Sequence, residues 1–300
     1  MKNLLRVLLP LAILFLSFGL RADDVEMGIM TGNELGTYYQ FGQDMRKLVA
    51  QYGIDLKVYP SRGSFENILT VYDSRSVPLG LAQSDVVIFM QLFGEPKVKA
   101  LTDHVKVVFP LYTEEAHLLA KNEIGDFAAL AGKKVAIDRS GSGTAMTASV
   151  LFELSGVKPA EVIDIGGTEA LTALRKGEID AMFYVAGYPV SLFRNQVSKD
   201  DKLHLAPITD KNIIDFYGSE TVIPAGTYSW QDQDVKTIDV MAGLVTFDYD
   251  KDDPQCVNVR RFAKLVRDHL AWLKEHGHEK WKSVDLDAPV DASLKSACSA

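Results

Sequence analysis

The sequence predicts an α/β protein with a mainly parallel sheet. Three observations carry this reading. Strand-like and helix-like runs alternate along most of the chain, the turns joining them are short and rich in Gly, Ser and Thr, and no repeat of 20–50 residues, low-complexity tract or long linker interrupts the alternation. A chain of 300 residues, 47% hydrophobic and 24% charged, has an ordinary globular composition and is long enough for two medium-sized bodies around real cores.

The first segment, MKNLLRVLLPLAILFLSFGLRA, reads differently. Lys2 and Arg6 precede a mostly apolar run from Val7 to Leu20, and Ala22 supplies a small residue at its end. A charged start, a short apolar core and a small terminal residue predict a secretory signal peptide over residues 1–22. The run is shorter than the ~20 residues a membrane helix needs. From there Val25–Met30 reads as a strand. TGNELGT (31–37) leads into a helix over Tyr38–Tyr52, where Phe41, Met45, Leu48 and Val49 recur at helical spacing. Asp55–Tyr59 is a strand, PSRGS (60–64) a turn and Phe65–Asp73 a helix. Leu79–Ala82 is a short strand, and Ser84-Asp85 opens a helix to Gln91. Val105–Tyr112 and Ala116–Lys121 read as two strands, followed by Val135–Asp138. SGSGT (140–144) opens a helix that Gly156 ends as a C-cap. Glu161–Ile165 and Asp180–Val185 are strands flanking a helix over Thr168–Lys176, and Gly187–Pro189 begins another helix. A long helix over Asn258–His276 closes the pattern.

Charge narrows the function. Lys2, Arg6 and Arg21 lie in the leading segment, so the remainder carries 29 basic against 40 acidic residues, a net charge near −11. That balance argues against nucleic acid as a partner, because sequence-independent binding needs a basic footprint. Catalytic signatures are missing: there is no GxSxG, no HExxH, and SGSGT lacks the Lys of a phosphate-cradling loop. No Cys/His spacing suits zinc, and neither a cofactor nor a metal is expected. Cys256 and Cys298 are the only cysteines; in an exported chain such a late pair predicts a disulfide tying down the C-terminal tail.

Five places share one arrangement, a strand end, a small turn and a helix start: 31–39, 61–67, 83–85, 140–144 and 186–189. Helix N-termini present unpaired amides and the positive end of the helix dipole, so several facing one gap would hold a small anion. In open α/β sheets ligands bind beyond the strands' carboxyl ends. Arg62, inside one of these turns, has the fork geometry to clasp a carboxylate. Tyr38, Tyr39, Tyr184 and Tyr188 are candidate cleft walls. Glu114 and Glu115 are adjacent on a strand and point to opposite faces, so one at most reaches a cleft.

Six spaced blocks, GTYYQFG (36–42), SRGSFEN (61–67), LAQSD (81–85), LAGKKVAIDRSGSGT (130–144), GEIDAMFYVAGYP (177–189) and IPAGTYSWQDQDVKT (223–237), resemble those of TAXI-type solute receptors, the extracytoplasmic binding components of TRAP transporters. The resemblance spans nearly the whole chain after residue 26. It implies a type II periplasmic-binding-protein fold with two lobes, a central cleft and two hinge crossings, near Pro110–Glu115 and Val222–Gly226. Lobe one is then 23–111 plus 225–300 and lobe two 112–224. Carried onto matching positions, it implies a ligand site of Thr37, Tyr38, Ser64, Asn67, Ser84, Asp85, Ser140, Ser142, Thr144, Gly187, Tyr188 and Pro189. Arg62 departs from the neutral residue or Gly of many members and adds a fixed charge. The implied activity is non-enzymatic: a monomeric periplasmic receptor captures a small anionic carboxylate, glutamate-like or a dicarboxylate, for TRAP-type permease subunits. A sensory or adaptor protein of the envelope and an ABC-type receptor are the alternatives.

Overall fold

The structure, a computed structural model, describes residues 25–218 and 220–299. The signal peptide expected over residues 1–22 lies outside them. In chain order the elements are β1 (Val25–Met30), α1 (Thr37–Val49), β2 (Ile54–Tyr59), α2 (Ser64–Asp73), β3 (Leu79–Gln83), α3 (Ser84–Phe93), α4 (Pro96–Thr102) and β4 (Val105–Lys121). There follow β5 (Lys134–Ala136), α5 (Gly143–Ser155), β6 (Glu161–Ile163), α6 (Gly167–Lys176), β7 (Ala181–Ala186), α7 (Ser191–Gln196), β8 (Leu203–Leu205) and α8 (Lys211–Tyr217). The chain ends through β9 (Thr221–Ile223), β10 (Val235–Thr237), β11 (Asp239–Phe247), α9 (Pro254–Asp268) and α10 (Leu270–His276).

Among the described residues, one sheet runs β2-β1-β3-β11-β4-β7-β5-β6 with β8 beside β4, and β9 and β10 form a separate pair. The expected parallel pairings are present at both ends, β2-β1-β3 and β7-β5-β6. The middle is antiparallel, since β11 runs against both β3 and β4, and β4 against β7 and β8. The sheet is therefore mixed, and the antiparallel strands lie where the chain passes between the two halves.

β4 makes the first passage. Its start pairs with β11 and its end with β7, the two ladders meeting at Glu115. The segment expected as two strands is thus one of 17 residues. The return passage lies beside it: Asp239 and Val240 at the start of β11 face Glu115 and Glu114, and the Thr237 hydroxyl donates to the Ala116 carbonyl at 2.6 Å. This differs from the crossing expected at Val222–Gly226. Ile223, Tyr228, Trp230 and Val235 pack with Phe193 and Leu205, so the chain stays with the second body until about residue 237.

Each half covers its sheet on both faces, which is why its strands read as apolar runs rather than alternations. In the first half, Phe41, Met45 and Leu48 of α1 meet Val259, Phe262 and Val266 of α9 over Met27 and Ile29. Phe41 stacks on Trp281 with ring centroids 4.1 Å apart. The opposite face carries Ile68 of α2, Val86 and Met90 of α3 and Leu101 of α4. In the second half, Leu171 and Leu174 of α6 cover one face with Phe193, and Ala148 and Leu151 of α5 cover the other with Ile213 of α8. The tail is tied as expected: Cys256 at the start of α9 is disulfide-bonded to Cys298, 42 positions on. Chain-entropy arguments give a loop of that size ~4 kcal/mol. Reducing the bond is expected to lower the urea midpoint accordingly, and an unchanged midpoint would show that the bond adds no stability.

Candidate functional site

The ends of β1, β2, β3, β5 and β7 and the middle of β4 open onto one cleft of about 70 Å³. From the first half it takes Gly32 to Tyr38 at the start of α1, Arg62 to Ser64 at the start of α2, and Gln83 before α3; from the second it takes Asp138, Ser142 to Thr144 at the start of α5, and Tyr184 to Ala186. Glu114 of β4 forms the floor between them.

Three helices therefore place their first residues in the cleft, α1, α2 and α5, while α3 reaches it only through its N-cap Gln83. No side chain caps the N-terminus of α1 or α2, so their first amides are left for another partner. Gly63, before α2, adopts φ 123°, open to glycine and not to L side chains, and a Cβ there would sit 3.3 Å from the Gly143 amide nitrogen. This glycine lets the starts of α2 and α5 approach each other. α5 is capped: the Ser142 hydroxyl accepts from Ala145 N–H at 3.0 Å and bonds Asp138. Asp138 itself sits in the left-handed region at φ 73°, a conformation Asp tolerates better than most residues and one that concentrates at working sites.

All five turns singled out in the sequence reach the cleft, but not always through the expected residue. Thr37, Tyr38, Arg62, Ser64, Ser142 and Thr144 line it. Thr37 also bridges the halves, its hydroxyl donating to the Gly187 carbonyl at 3.0 Å. Thr144 accepts from Val185 N–H at 3.0 Å, and Ser64 from Gln83 N–H at 3.1 Å. The other expected residues stand elsewhere. Asn67 is fully buried and spends its side chain on the Thr31 and Leu81 carbonyls, 2.6 Å each, and on the Ser61 hydroxyl, bracing β1 to β3. Ser84 is exposed, beside a separate apolar groove with Val87. Asp85 turns to the second half, accepting from Thr147 at 2.7 Å and Tyr217 at 3.1 Å; burial pushes its carboxyl up to about 6. Ser140 bonds Asp164 through its amide, outside the cleft. Gly187, Tyr188 and Pro189 lie past the cleft wall; Tyr188 donates its amide to Glu115 at 3.0 Å and lies under the Lys280 ammonium, 4.3 Å from the ring centroid. Of the four tyrosines, Tyr38 and Tyr184 wall the cleft.

Several lining residues were not in the expected ligand set, among them Gln83, Asp138 and Gly143, and Glu114 proves to be the one of the two adjacent carboxylates that reaches the cleft. Glu114 left a signal: with Glu115 it is the only acidic pair inside the apolar run 105–120. The two face opposite ways, as strand geometry demands. Glu115 pairs with Lys280 at 2.8 Å, both side chains nearly inaccessible. Glu114 accepts the Tyr38 hydroxyl at 2.8 Å in the cleft floor. Burial pushes Glu114 up to about 8, helped by Glu115 and Asp85, and burial likewise raises Asp138.

Arg62 does not supply an uncommitted cation. Its side chain is 60% exposed and bonds Glu66 at 3.0 Å. Exposed pairs of this kind are worth ~0–1 kcal/mol. Because the guanidinium lies in solvent on the rim, where water screens a charge contact, Arg62→Ala is expected to change the affinity for a carboxylate by less than about fivefold in calorimetric titration; a loss of a hundredfold would put the guanidinium on the ligand. Among the described residues no group of three His, Cys, Asp or Glu side chains is gathered to hold a metal.

Two α/β bodies sharing a sheet, connected by adjacent strands and facing a cleft lined by helix starts, define the periplasmic-binding-protein fold. Solved structures are similar in the same way. The periplasmic binding protein BugD has a TM-score of 0.56 at 12% identity, covering 87% of each chain. A histidine kinase sensor domain with similarity to periplasmic binding proteins has 0.54 at 12%, covering 87% of this chain and 98% of that one. The effector-binding domain of a BenM variant has 0.50 at 12%, covering 82% and 94%. The model of the NMT1-like family matches residues 29–293, and the chain belongs to that family.

Proposed function

We propose that the chain is a periplasmic solute receptor of the TAXI type that captures a small anionic carboxylate, glutamate-like or a dicarboxylate, and delivers it to a TRAP-type permease. One observation carries the reading: the starts of α1 and α2 from one half and α5 from the other open into the same cleft. An anion between them takes amide hydrogen bonds and dipole stabilisation from both halves at once, with no metal and no bond-making step.

The two halves then act as lobes, one of residues up to about 113 with 239–299, the other the stretch between. They rotate about β4 and the start of β11. The open form admits the ligand through the first lobe, and contacts with the second lobe favour closure. Thr37 to Gly187 and Asp85 to Thr147 are the hydrogen bonds such closure makes. The fold similarity to a sensor domain and an effector-binding domain favours a second reading, in which a sensor of the envelope reads the closed form instead of a permease. Thermal-shift screening of C4–C6 mono- and dicarboxylates and amino acids on ligand-stripped protein tests the ligand class. A saturable rise in melting temperature, following RT ln(1 + [L]/Kd), is expected for an anionic carboxylate. A rise confined to cations or neutral solutes would overturn it.

A further inference from the structure

The cleft holds a feature that an anion site does not require, a buried carboxyl in its floor. Glu114 is 2% exposed, and its Oε2 accepts the Tyr38 hydroxyl at 2.8 Å. Around it stand Tyr38 from α1, Gln83 and Asp85 from the β3–α3 junction, Tyr112 and Glu115 along β4, and Tyr184 from β7. Asp138 faces the same cleft from the loop after β5. Every titratable group in this set is an acid or a phenol. The cations acting on these groups are each paired: Arg62 to Glu66 at 3.0 Å on the rim, Lys280 to Glu115 at 2.8 Å behind the strand, and Arg139, next to Asp138, to Glu169 at 2.6 Å.

We infer that an anion enters this cleft together with a proton on Glu114, which makes Glu114 the residue that sets the charge the site accepts. The inference rests on the cleft's being an anion site. An ionised Glu114 beside a bound dicarboxylate, which brings no ammonium of its own, puts two like charges side by side in a buried floor. A protonated Glu114 removes the repulsion and still accepts from Tyr38. Burial by itself holds the carboxyl high, and it raises the Tyr38 phenol as well, as expected for a neutral acid–phenol pair. Linkage is reciprocal: the anion raises the proton affinity of Glu114, and the proton raises the anion affinity of the cleft by the same factor.

The test is calorimetric titration of the full mature chain with succinate and glutarate between pH 6.5 and 9.5, in buffers of different ionisation enthalpy. Both probes are fully dianionic over most of this range. Affinity is expected to hold at the lower end and then to weaken toward tenfold per pH unit, with one proton taken up per ligand at pH 9. Glu114→Gln, which keeps an acceptor for Tyr38 and cannot ionise, is expected to flatten the profile, while Asp138→Asn keeps the slope. Binding with a flat wild-type profile and no proton uptake overturns the proposal and leaves the anion site standing, as does a slope that survives in Glu114→Gln. Failure of both probes at every pH, together with no thermal shift from any carboxylate or acidic amino acid, removes the anion reading and this proposal with it. If Glu114→Gln does not fold, the wild-type proton count decides.

Discussion

Lys280→Met is expected to destabilise the chain by about 3 kcal/mol at pH 7, although Lys280 lies in the C-terminal segment far from the strand it supports. Its ammonium is 2.8 and 3.1 Å from the two oxygens of Glu115, with side chains 6% and 3% exposed. Glu115 sits where β4 passes from one half to the other, and it also holds Tyr188 N–H at 3.0 Å. The packing is close: a Cβ on Gly187 would lie 2.8 Å from the Tyr112 ring and 2.9 Å from Lys280 Cε. Removing one member of a buried pair leaves the other charge uncompensated, which typically costs ~3–5 kcal/mol. The lower figure applies because burial already raises Glu115 in spite of Lys280, so the orphaned carboxyl can take up a proton. The loss should accordingly shrink at pH 5, and Lys280→Met with Glu115→Gln should recover most of it. Urea unfolding of wild type and the two variants at both pH values measures this. A loss equal at pH 5 and 7, or a double variant no better than the single one, would contradict the account.

The second large effect is on the pH dependence of stability in the ligand-free chain. Glu114 is raised from 4.5 to about 8, so between those values the folded chain keeps a proton that the unfolded chain has released. Stability therefore falls as pH rises through that window and levels off above it. Asp85, raised from 3.8 to about 6, acts in the same direction at lower pH. His117 acts the other way. It is buried, its Nδ1 within 2.8 Å of the Glu115 carbonyl and its Nε2 2.9 Å from the Tyr228 hydroxyl, and burial lowers it from 6.5 to about 4. Between 4 and 6.5 the unfolded chain holds that proton, so this contribution rises with pH and partly cancels the other two. From 6.5 to 8 Glu114 acts without that opposition. One proton is worth ~1.4 kcal/mol per pH unit, so wild type is expected to lose about 2 kcal/mol across this interval and Glu114→Gln much less. Parallel slopes for the two proteins in urea unfolding at pH 6.5 and 8 would place Glu114's titration elsewhere.

What the sequence revealed and what it hid follow from the range of the interactions involved. Alternating runs and Gly-rich turns are local, and they announced both parallel ends of the sheet and all five turns around the cleft. The antiparallel centre was not legible, because nothing in DVMAGLVTF (239–247) says which way it runs or which strands it enters between. The strands 221–223 and 235–237, three residues each, are too short to show a period. Thr113-Glu114-Glu115 broke an apolar run and read as a strand end. The strand continues because Tyr38 and Lys280, 76 positions before and 165 after, receive the two carboxyls. At each turn the residue that faces the cleft depends on the phase at which the helix begins. At 83–85 that phase presents Gln83, leaves Ser84 exposed and turns Asp85 toward Thr147.

The most direct test of the central claim is an amide NMR titration of the mature chain with the carboxylate that raises its melting temperature. The amide protons of residues 37–38, 64–65 and 143–144 are expected to move downfield together, with one saturation constant, because hydrogen bonds from the starts of α1, α2 and α5 all end on the same anion. Saturable shifts that leave these three segments still and gather on another face of the molecule would contradict it.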